Sequence, residues 1–475
     1  MKNGVEIWRT AQADRMSVIV DADVYFRTLR QSMLLARKRI MLIGWDFDAR
    51  IALDRGERLP GEPRTVGGFV RWLVDRSPEL EVYLLRWDLG AVKSLFRGTT
   101  LFSLLRWMRH PRITTLLDGH HPIGGSHHQK IVVIDDCLAF CGGIDVTSER
   151  WDTCAHLDHQ PGRRTALGWP YKPWHDATSA VEGPLAAALG ELARDRWRLA
   201  GGRTLEPVSA TPDCWPPDLP VDFTKVEVGI ARTSPAMDDC DPIHESESLF
   251  LAQIAAAKRH LYIESQYFAS RRIAEAIARR LAEPDGPEIV IVNPRHAQGW
   301  LEPLAMDTAR ARLMAALWER DPHKRLRMYH PVTSGGKDIY VHAKILIADT
   351  QTIRLGSSNM NNRSLRLDTE CDLALEAADD GARRTIARIR GGLLAEHLDV
   401  PVEEVDRLLA ETGSLIETVE RLRGSGKTLD PYEVPELGAV TEWLADNEVL
   451  DPEGPDEMFE SLAKRGLFRR LRSPR

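Results

Sequence analysis

Two short patterns of residues with reactive side chains occur in this chain of 475 residues. Residues 128–135 read HQKIVVID and residues 342–349 read HAKILIAD, so both follow the pattern H-x-K-x4-D. Each residue of the second pattern stands 214 positions after its counterpart in the first. Because residues two apart on a strand point to the same side, each His/Lys pair projects into one site. Two copies in register indicate an internal duplication.

The residue types of the two patterns predict chemistry at phosphorus. Histidine has a pKa near neutral pH, so His128 and His342 can supply a nucleophile and a general acid. The ammonium groups of Lys130 and Lys344 can bind the non-bridging oxygens of a phosphate, on which charge builds during displacement. We therefore expect one cationic pocket that binds a phosphate group between the two copies.

A second pattern follows each Asp after seven residues: residues 142–145 read GGID and residues 356–359 read GSSN. Small residues let the backbone come close to a ligand, and the Asp or Asn side chain can orient neighbouring groups. The candidate phosphate- or substrate-binding residues are Gly143, Asp145, Ser357 and Asn359.

Each catalytic histidine needs a carboxylate that holds its other ring nitrogen. An acid followed by Glu six residues later occurs at residues 176–182 and again at residues 370–376. We therefore pair Asp176 with His128 and Glu370 with His342. Two further candidates for the first pairing are Asp152 and Asp158.

Asp135 and Asp349 complete the set of candidate catalytic residues, but their positions in the chain predict a structural role. Each lies seven residues along the chain from its histidine, where an apolar strand ends. We expect turns at 135–136 and 349–350, each of which closes a hairpin with the next strand.

Strands and helices alternate in both copies, which predicts an α/β fold with layers of helices on a sheet. The predicted helices are 25–39 and 249–260, and the predicted strands that follow them are 40–43, 81–85, 261–263 and 288–292. The predicted organisation is a first half at 1–200, a linker at 201–224, a second half at 225–400, and a helical tail at 401–475 that ends in a basic segment.

Composition excludes several classes of protein. Hydrophobic residues make up 43% and charged residues 28%, close to the globular average, so fibrous and disordered classes are excluded. No apolar run reaches about 18 residues, and the first residues lack the apolar core of a signal peptide. The six cysteines form no C-x-x-C pair and no zinc-like spacing. We expect reduced thiols in a cytoplasmic protein, with no metal or other cofactor.

The net charge of −7 is unevenly distributed. Residues 401–460 carry 17 acidic and 4 basic side chains, whereas residues 461–475 carry 6 basic side chains and no acidic one. The first 400 residues hold 53 charges of each sign. A neutral body argues against sequence-independent binding of nucleic acid, which needs a basic face.

The duplicated H-x-K-x4-D with its G-G/S-x-D/N sequel resembles the phospholipase D superfamily over about residues 1–400. Further stretches resemble the phosphatidylcholine-cleaving branch that bacteria and eukaryotes share. These stretches are SHHQK at 126–130, RWD at 150–152, PWHD at 173–176, EGP at 182–184 and IESQYF at 263–268.

The resemblance implies two pseudo-twofold-related α/β/α halves that form one bilobal body with the active site between them. It implies cleavage of a phosphodiester in two steps through a phosphatidyl-histidine, with His128 as the nucleophile and no metal required. Water would release phosphatidic acid, and a primary alcohol would take the phosphatidyl group instead. The expected partner is a phospholipid at a membrane surface rather than nucleic acid. Because one chain carries both motifs, we expect a monomer.

Alternatives stay open. Ala343 stands where the family commonly has Ser, which removes one possible hydrogen bond to phosphate. A cardiolipin synthase-like phosphatidyltransferase usually carries transmembrane segments, and a nuclease would need a basic groove with stacking aromatics. A catalytically idle scaffold would not need intact His, Lys and Asn residues.

Several other residues favour ordinary structural roles. We expect His156, His159 and His175 to be structural, Trp151 and Trp174 to pack, and the apolar run 101–108 to be a buried helix. Residues 405–422 have helical apolar spacing. Residues 462–472 alternate apolar and basic side chains, and they are a candidate for peripheral attachment to an anionic membrane.

Overall fold

The computed structural model describes residues 1–88, 107, 109–209, 214–237, 240–298 and 302–435. Within them the chain forms an α/β fold built on one large mixed sheet. The strands are β1 Arg9–Val20, β2 Arg39–Gly44, β3 Glu81–Trp87, β4 Ile113–Asp118, β5 Ile131–Ile134, β6 Leu138–Gly142, β7 Trp174–His175, β8 Ala177–Glu182, β9 Phe223–Ser234, β10 Ile243–His244, β11 His260–Glu264, β12 Glu288–Val292, β13 Leu326–Val332, β14 Tyr340–Val341, β15 Ile345–Ala348, β16 Thr352–Gly356, β17 Glu370–Glu376 and β18 Thr428–Pro431. The helices are α1 Ala22–Leu35, α2 Val66–Arg76, α3 Pro184–Leu199, α4 Glu245–Ala256, α5 Arg271–Ala282, α6 Glu302–Glu319, α7 Asp380–Leu398, α8 Val402–Thr412 and α9 Leu415–Leu422.

The strand order repeats outward from the middle of the sheet. β1 and β9 pair antiparallel at the centre. From β1 the order continues β8-β6-β5-β2-β3-β4, and from β9 it continues β17-β16-β15-β11-β12-β13. Each strand of one series has its counterpart at the same step of the other, so the molecule consists of two pseudo-twofold-related halves in one bilobal body. β7 and β14 form a separate parallel pair, one strand from each half.

Alternation along the strands creates helix layers on both faces. In β2, Met41 and Ile43 face one core, and Ile40 and Leu42 face another. The first core runs beneath both halves and also receives α3 and α7. The opposite face carries a separate core for each half, built with α1 and α2 in the first half and with α4 and α5 in the second. The expected α/β/α layering is therefore present.

The two motif aspartates close equivalent turns. Asp135, with a φ of 51°, follows β5 and accepts hydrogen bonds from the backbone N–H groups of residues 37–39 at 2.6–2.8 Å. Asp349, with a φ of 56°, follows β15 and accepts hydrogen bonds from the N–H groups of residues 258–260 at 2.8–3.0 Å. Each carboxylate thus ties its hairpin to the start of the neighbouring strand, β2 or β11.

The region after residue 400 differs from the expected helical appendage. α8 and α9 replace one continuous helix because Gly413 adopts a φ of 67° and ends α8. β18 then pairs antiparallel with β13 and extends the sheet. The basic segment 462–472 lies outside the described residues. The predicted domain boundaries stay predictions.

The expectation that all six cysteines are reduced is wrong for two of them. Cys137, at the entry to β6, forms a disulfide with Cys214, and their Cα atoms lie 6.4 Å apart. The two residues are 77 positions apart, in a turn and in the connector between the halves, so no local spacing indicated the contact. Because disulfides persist mainly in oxidising compartments, the cysteines no longer support a cytoplasmic location.

The apolar run 101–108 was expected to be a buried helix, and no segment was expected to span a membrane. Of the run 101–108, the structure describes Trp107, which is buried and donates a hydrogen bond from Nε1 to the carbonyl of Gly67 at 2.9 Å. The rest of the run lies outside the described residues. Among the described helices, none is both long and apolar enough to cross a membrane.

Replacing Asp349 tests the structural role of the motif aspartates. Asp349→Ala removes the acceptor of three backbone N–H groups and places Ala at a positive φ, so the free energy of unfolding should fall by about 2–4 kcal/mol. Urea denaturation followed by circular dichroism measures this change. Asp285→Ala, at an exposed aspartate, is the control and should leave the midpoint unchanged. An unchanged midpoint for Asp349→Ala would contradict the structural role.

Candidate active site

Each motif histidine is held by the backbone of the opposite half. His128 precedes β5, and its N–H donates a hydrogen bond to the carbonyl of Thr369 at 2.9 Å. His342 follows β14, and its N–H donates to the carbonyl of His175 at 2.7 Å. The bridge between His127 and Thr369 and the pair of β7 with β14 are both parallel. The two contacts are therefore related by the pseudo-twofold axis.

This backbone pairing exchanges the expected carboxylate partners. Nδ1 of His128 lies 3.0 Å from both carboxylate oxygens of Glu370, and Nδ1 of His342 lies 2.7 Å from Oδ2 of Asp176. The prediction that Asp176 serves His128 and Glu370 serves His342 is wrong. The residue after each backbone contact, Glu370 after Thr369 and Asp176 after His175, lies beside the histidine of the other half.

The small residues of the second pattern make room for these carboxylates. A Cβ atom on Gly143 would come within 2.2 Å of Oδ1 of Asp176, so a larger residue cannot stand there. The counterpart position holds Ser357, whose hydroxyl accepts a hydrogen bond from the N–H of Cys371 at 3.0 Å. Gly143 and Ser357 thus border the carboxylates and support them, which differs from the expected contact with phosphate.

The two lysines have unequal surroundings. Nζ of Lys130 donates to the carbonyl of His128 at 2.6 Å and lies 3.3 Å from the Asp145 carboxylate. Nζ of Lys344 donates to the carbonyl of His342 and to Oε1 of Gln266, the latter at 3.4 Å. Asn359 stands at the position equivalent to Asp145, and no carboxylate occupies that place.

The difference between the lysines changes the charge that the site holds. Burial lowers the pKa of Lys344 to about 7, although Asp176 raises it, and the charge of Lys130 lowers it further. An anionic phosphate beside Lys344 would raise this pKa again, because opposite charges favour the protonated ammonium. The site is therefore built to gain a full positive charge when an anion binds.

Both histidines are held in the neutral form while no anion occupies the site. Burial and the charges of Lys130 and Lys344 lower the pKa of His128 well below its usual value. Burial and Lys344 likewise lower the pKa of His342 well below that value, although Asp176 opposes the shift. Because Lys130 and Lys344 act on the same ring, the two motifs meet in one electrostatic environment. A neutral imidazole is the form that attacks phosphorus.

The two carboxylates differ in ionisation. Burial opposes the charge of Asp176, but His342 and Lys344 outweigh it and lower the pKa to about 2. Burial raises the pKa of Glu370 well above its usual value, although Lys130 opposes the shift. An ionised Asp176 favours a proton on His342, whereas burial disfavours a charge on Glu370, which still orients His128 through its contact with Nδ1.

Four residues beside the motifs complete the pocket. Nδ2 of Asn359 donates to Oε1 of Gln266 at 3.4 Å, and Oδ1 of Asn359 is buried without a hydrogen-bond partner among the described residues. The Trp174 ring lies 5.1 Å from the His342 ring and stacks on Tyr340 at 4.7 Å. The expectation that Trp174 only packs is therefore incomplete.

Sequence reasoning missed Gln266, Arg150 and Tyr340 as site residues. The guanidinium of Arg150 lies 4.3 Å from the centre of the Trp174 ring. Gln266 and Arg150 occur in the stretches IESQYF and RWD, so a signal for them was present. Tyr340 had no such signal, because only the pairing of β14 with β7 brings it to Trp174.

Ala343 does not remove a phosphate contact. Its side chain is fully buried in the apolar core beneath both halves, on the side of the chain opposite to His342 and Lys344. A hydroxyl at this position would therefore face the core rather than a bound phosphate.

A buried network behind the site holds the segment that carries Asp176. Nε2 of His175 lies 2.7 Å from Glu264, and Nδ1 lies 2.8 Å from Glu396. Burial opposes a charge on His175, but these two carboxylates outweigh it and raise its pKa well above the usual value. His175 is therefore a cation bridging β11 and α7, one residue before Asp176.

Two overlapping groups in this network have the spacing for a metal ion. Their ligand atoms lie within 4.8 Å of one another, and the groups are Asp21, His156, His175 and Glu396, and His175, Glu264 and His397. Ion pairs between imidazolium and carboxylate groups already satisfy much of their charge. We interpret the network as structural, in line with the expectation for His156 and His175.

The other carboxylate candidates have different roles. Asp152 binds Nδ1 of His156 at 3.1 Å and the guanidinium of Arg163 at 3.0 Å. Asp158 accepts hydrogen bonds from Thr333 and the N–H of Gly335 at 2.6 and 2.8 Å. Neither residue orients a motif histidine.

The arrangement has the parts of a displacement at phosphorus. Because Nδ1 of each motif histidine faces a carboxylate, Nε2 is the nitrogen that remains for a substrate. One neutral imidazole can attack, and the one beside the ionised Asp176 can carry a proton to a leaving group. Lys130, Lys344 and Asn359 supply positive charge and an amide donor for phosphoryl oxygens.

Comparisons with known proteins agree with this geometry. A family model described as "Phospholipase D" matches residues 32–241, and one described as "Cardiolipin synthase, PLD-like domain" matches residues 250–388. Each matched range contains one of the two motifs.

Curated relatives are phospholipases D of plants and an amoeba. Phospholipase D alpha 1 of Arabidopsis thaliana is 25% identical over 545 residues, which cover 84% of this chain and 66% of the relative. Phospholipase D A of Dictyostelium discoideum is 25% identical over 448 residues, which cover 78% of this chain and 34% of the relative. The chain thus spans less than two thirds of the length of these relatives.

A solved structure shares the fold. The crystal structure of phosphatidylserine synthase from Haemophilus influenzae Rd KW20 superposes with a TM-score of 0.53. It is 13% identical, and the match covers 86% of this chain and 95% of that one.

Nuclear magnetic resonance tests the exchange of carboxylate partners. Asp176→Asn removes the charge beside Nδ1 of His342, so the ¹⁵N resonances of the His342 ring should move and its pKa should fall further. The His128 resonances should stay nearly unchanged. Glu370→Gln should move the ¹⁵N resonances of the His128 ring and spare those of His342. His128→Asn and His342→Asn assign the signals. If Asp176→Asn moved the His128 ring and spared His342, the observed pairing would be contradicted.

Proposed function

The chain belongs to the phospholipase D superfamily, and from this premise we propose that it is a phospholipase D acting on a phosphatidylcholine-like glycerophospholipid. The products would be phosphatidic acid and the free headgroup alcohol. One observation carries the proposal: two histidines, one from each half, share one cationic environment, and each is oriented at Nδ1 by a carboxylate of the opposite half.

The first step would transfer the phosphatidyl group to the protein. Nε2 of His128 attacks phosphorus, and the bond from phosphorus to the headgroup oxygen breaks. His342 is protonated at Nε2 in the complex, because the anionic phosphate and the ionised Asp176 favour its charged form, and it donates this proton to the headgroup oxygen and becomes neutral. The pKa values of both imidazoles are low, so they do not distinguish the two roles. The ionised Asp176 beside His342 supports His342 as the acid and leaves His128 as the nucleophile. Lys130, Lys344 and Asn359 would bind the non-bridging oxygens as charge builds on them.

The second step would release the product. The neutral His342 accepts a proton from water, the oxygen of that water attacks phosphorus, and the bond between phosphorus and His128 breaks. A primary alcohol in place of water would give a phosphatidyl alcohol. Each step uses only side chains of the chain and substrate, so we propose that no metal or other cofactor takes part.

Two other reactions use the same chemistry. A cardiolipin synthase-like phosphatidyltransferase would differ only in its acceptor, which would be a lipid alcohol. A nuclease would use the same histidines on a nucleic-acid backbone. The stacked pair of Trp45 and Trp87, with Trp45 placed 6.5 Å from the His128 ring, could hold either a base or a quaternary ammonium group.

Parallel assays test the proposal. Purified protein should cleave phosphatidylcholine vesicles with EDTA present, should form the phosphatidyl alcohol when ethanol is added, and should leave single-stranded DNA intact. His128→Asn and His342→Asn should each lower turnover by about three orders of magnitude or more, because each removes a group that acts on the reacting atoms. Thin-layer chromatography of labelled lipid measures the products.

The exposed His323→Asn is the control and should keep the normal rate. Cleavage of DNA without cleavage of lipid would favour the nuclease. Near-normal turnover in both motif variants would remove the basis of the proposed mechanism.

A further inference from the structure

The most exposed large apolar side chains lie in two segments that lead along the chain to active-site residues. Among the large hydrophobic residues that the structure describes, three have the highest exposed fractions: 76% for Leu167, 71% for Ile123 and 69% for Trp169. Ile123 lies in the loop that leads to His128, and Leu167 and Trp169 lie in the segment that leads to Trp174. Leu167 and Trp169 are two residues apart, and exposed apolar side chains that lie close together usually mark a binding surface.

Leu167 and Trp169 occupy the tip of a short hairpin. Arg164 and Pro170 form an antiparallel bridge, the N–H of Thr165 donates to the carbonyl of Trp169 at 2.8 Å, and Gly168 supplies the positive φ of the turn. The tip therefore has a defined conformation that presents both apolar side chains to solvent.

The base of the hairpin is firmly packed, so the exposure of its tip does not result from poor packing. The buried guanidinium of Arg163 binds Asp152 and the carbonyls of Leu157 and Tyr171. A Cβ atom on Gly162 would come within 2.4 Å of the Trp151 ring, so the chain lies directly on that ring.

The second half of the molecule contributes the facing turn. Asp158 accepts hydrogen bonds from Thr333 and Gly335, and Nζ of Lys337 donates to the Asp158 carbonyl at 3.2 Å. Residues 157–172 and 333–338 thus form one structure, here named the rim lobe, which borders an open cavity of about 700 Å³.

The rim lobe carries positive charge beside its apolar tip. Arg164, Lys172 and Lys337 are exposed and line the cavity. Of the acidic residues there, Asp158 binds the facing turn and Asp338 lies 2.8 Å from Arg295. Apolar side chains with an aromatic ring, flanked by basic residues, suit the boundary between lipid headgroups and acyl chains.

The rim lobe is joined directly to the chemistry. Pro173 follows it, and the carbonyl of Pro173 accepts a hydrogen bond from the N–H of Tyr340 at 2.9 Å. The next residue, Trp174, stacks on Tyr340 and lies against His342. A surface that rests on the rim lobe is therefore held at the His342 side of the site.

We propose that the rim lobe docks the protein on an anionic phospholipid bilayer, with Leu167 and Trp169 inserted at the interface and Arg164, Lys172 and Lys337 facing the headgroups. This inference rests on the proposed function, because the lipid that is bound is also the source of substrate. It places the membrane contact within the described fold, independently of the basic segment 462–472.

Vesicle flotation tests the docking surface apart from catalysis. All binding variants are made in full-length His128→Asn protein, so that vesicles are not consumed. Leu167→Ser/Trp169→Ser should lower partitioning onto phosphatidylcholine vesicles, with or without phosphatidylglycerol, by about tenfold or more. Lys172→Gln/Lys337→Gln should lower partitioning by roughly tenfold only when phosphatidylglycerol is present, and added salt should abolish this difference.

Matched controls separate docking from general surface effects. Val5→Ser/Trp318→Ser removes one aliphatic and one aromatic exposed side chain outside the rim lobe and should leave partitioning unchanged. With His128 restored, the rim-lobe variants should hydrolyse a short-chain phosphatidylcholine below its micelle concentration at the normal rate. If the unmodified protein fails to hydrolyse it, the proposed function fails, whatever the vesicles show.

If Leu167→Ser/Trp169→Ser bound vesicles as strongly as the His128→Asn protein without these changes, the docking proposal would be overturned. A change in sedimentation coefficient of that variant, with vesicle binding intact, would assign the patch to contact between copies of the chain instead.

Discussion

The candidate site depends on one arrangement, in which each motif histidine is held by the half of the molecule that does not contain it. The backbone of Thr369 fixes His128, and that of His175 fixes His342. The following residue in each case supplies the carboxylate at Nδ1. Neither half alone can therefore orient its own histidine. The antiparallel contact of β1 with β9 and the ion pairs of His175 keep the halves in this relation.

Much of the fold was predictable because it is local. The predicted strand 288–292 has the bounds that the pattern indicated, and the duplicated motif predicted two equivalent hairpins. The carboxylate pairing was predicted wrongly because a repeated spacing within each half contains no information about which half faces which. The contact of Cys137 with Cys214 and the pairing of β18 with β13 join distant segments, and no sequence spacing signals them.

Burial explains why the two copies of the motif can have different chemical roles. The lysines are almost fully buried, so every neighbouring charge has a large effect on the groups between them. Asp145 lies beside Lys130, whereas the equivalent Asn359 leaves Lys344 without a carboxylate at that place. Asp176 is held ionised while burial favours the neutral form of Glu370. These differences support two distinct roles for the histidines, with His128 as the nucleophile and His342 as the group that transfers protons.

In the proposed mechanism, a histidine of one half becomes covalently bonded to phosphorus. The protein is quenched with denaturant at neutral or mildly alkaline pH during turnover of a short-chain phosphatidylcholine, because the bond between phosphorus and a histidine nitrogen hydrolyses in acid. Mass spectrometry of its peptides, kept out of acid, then tests the bond most directly. We expect one phosphatidyl group per chain, on the peptide that contains His128. A modified peptide that contains His342 and never His128 would reverse the assignment. Absence of any modified histidine under conditions of rapid turnover would contradict the covalent mechanism itself.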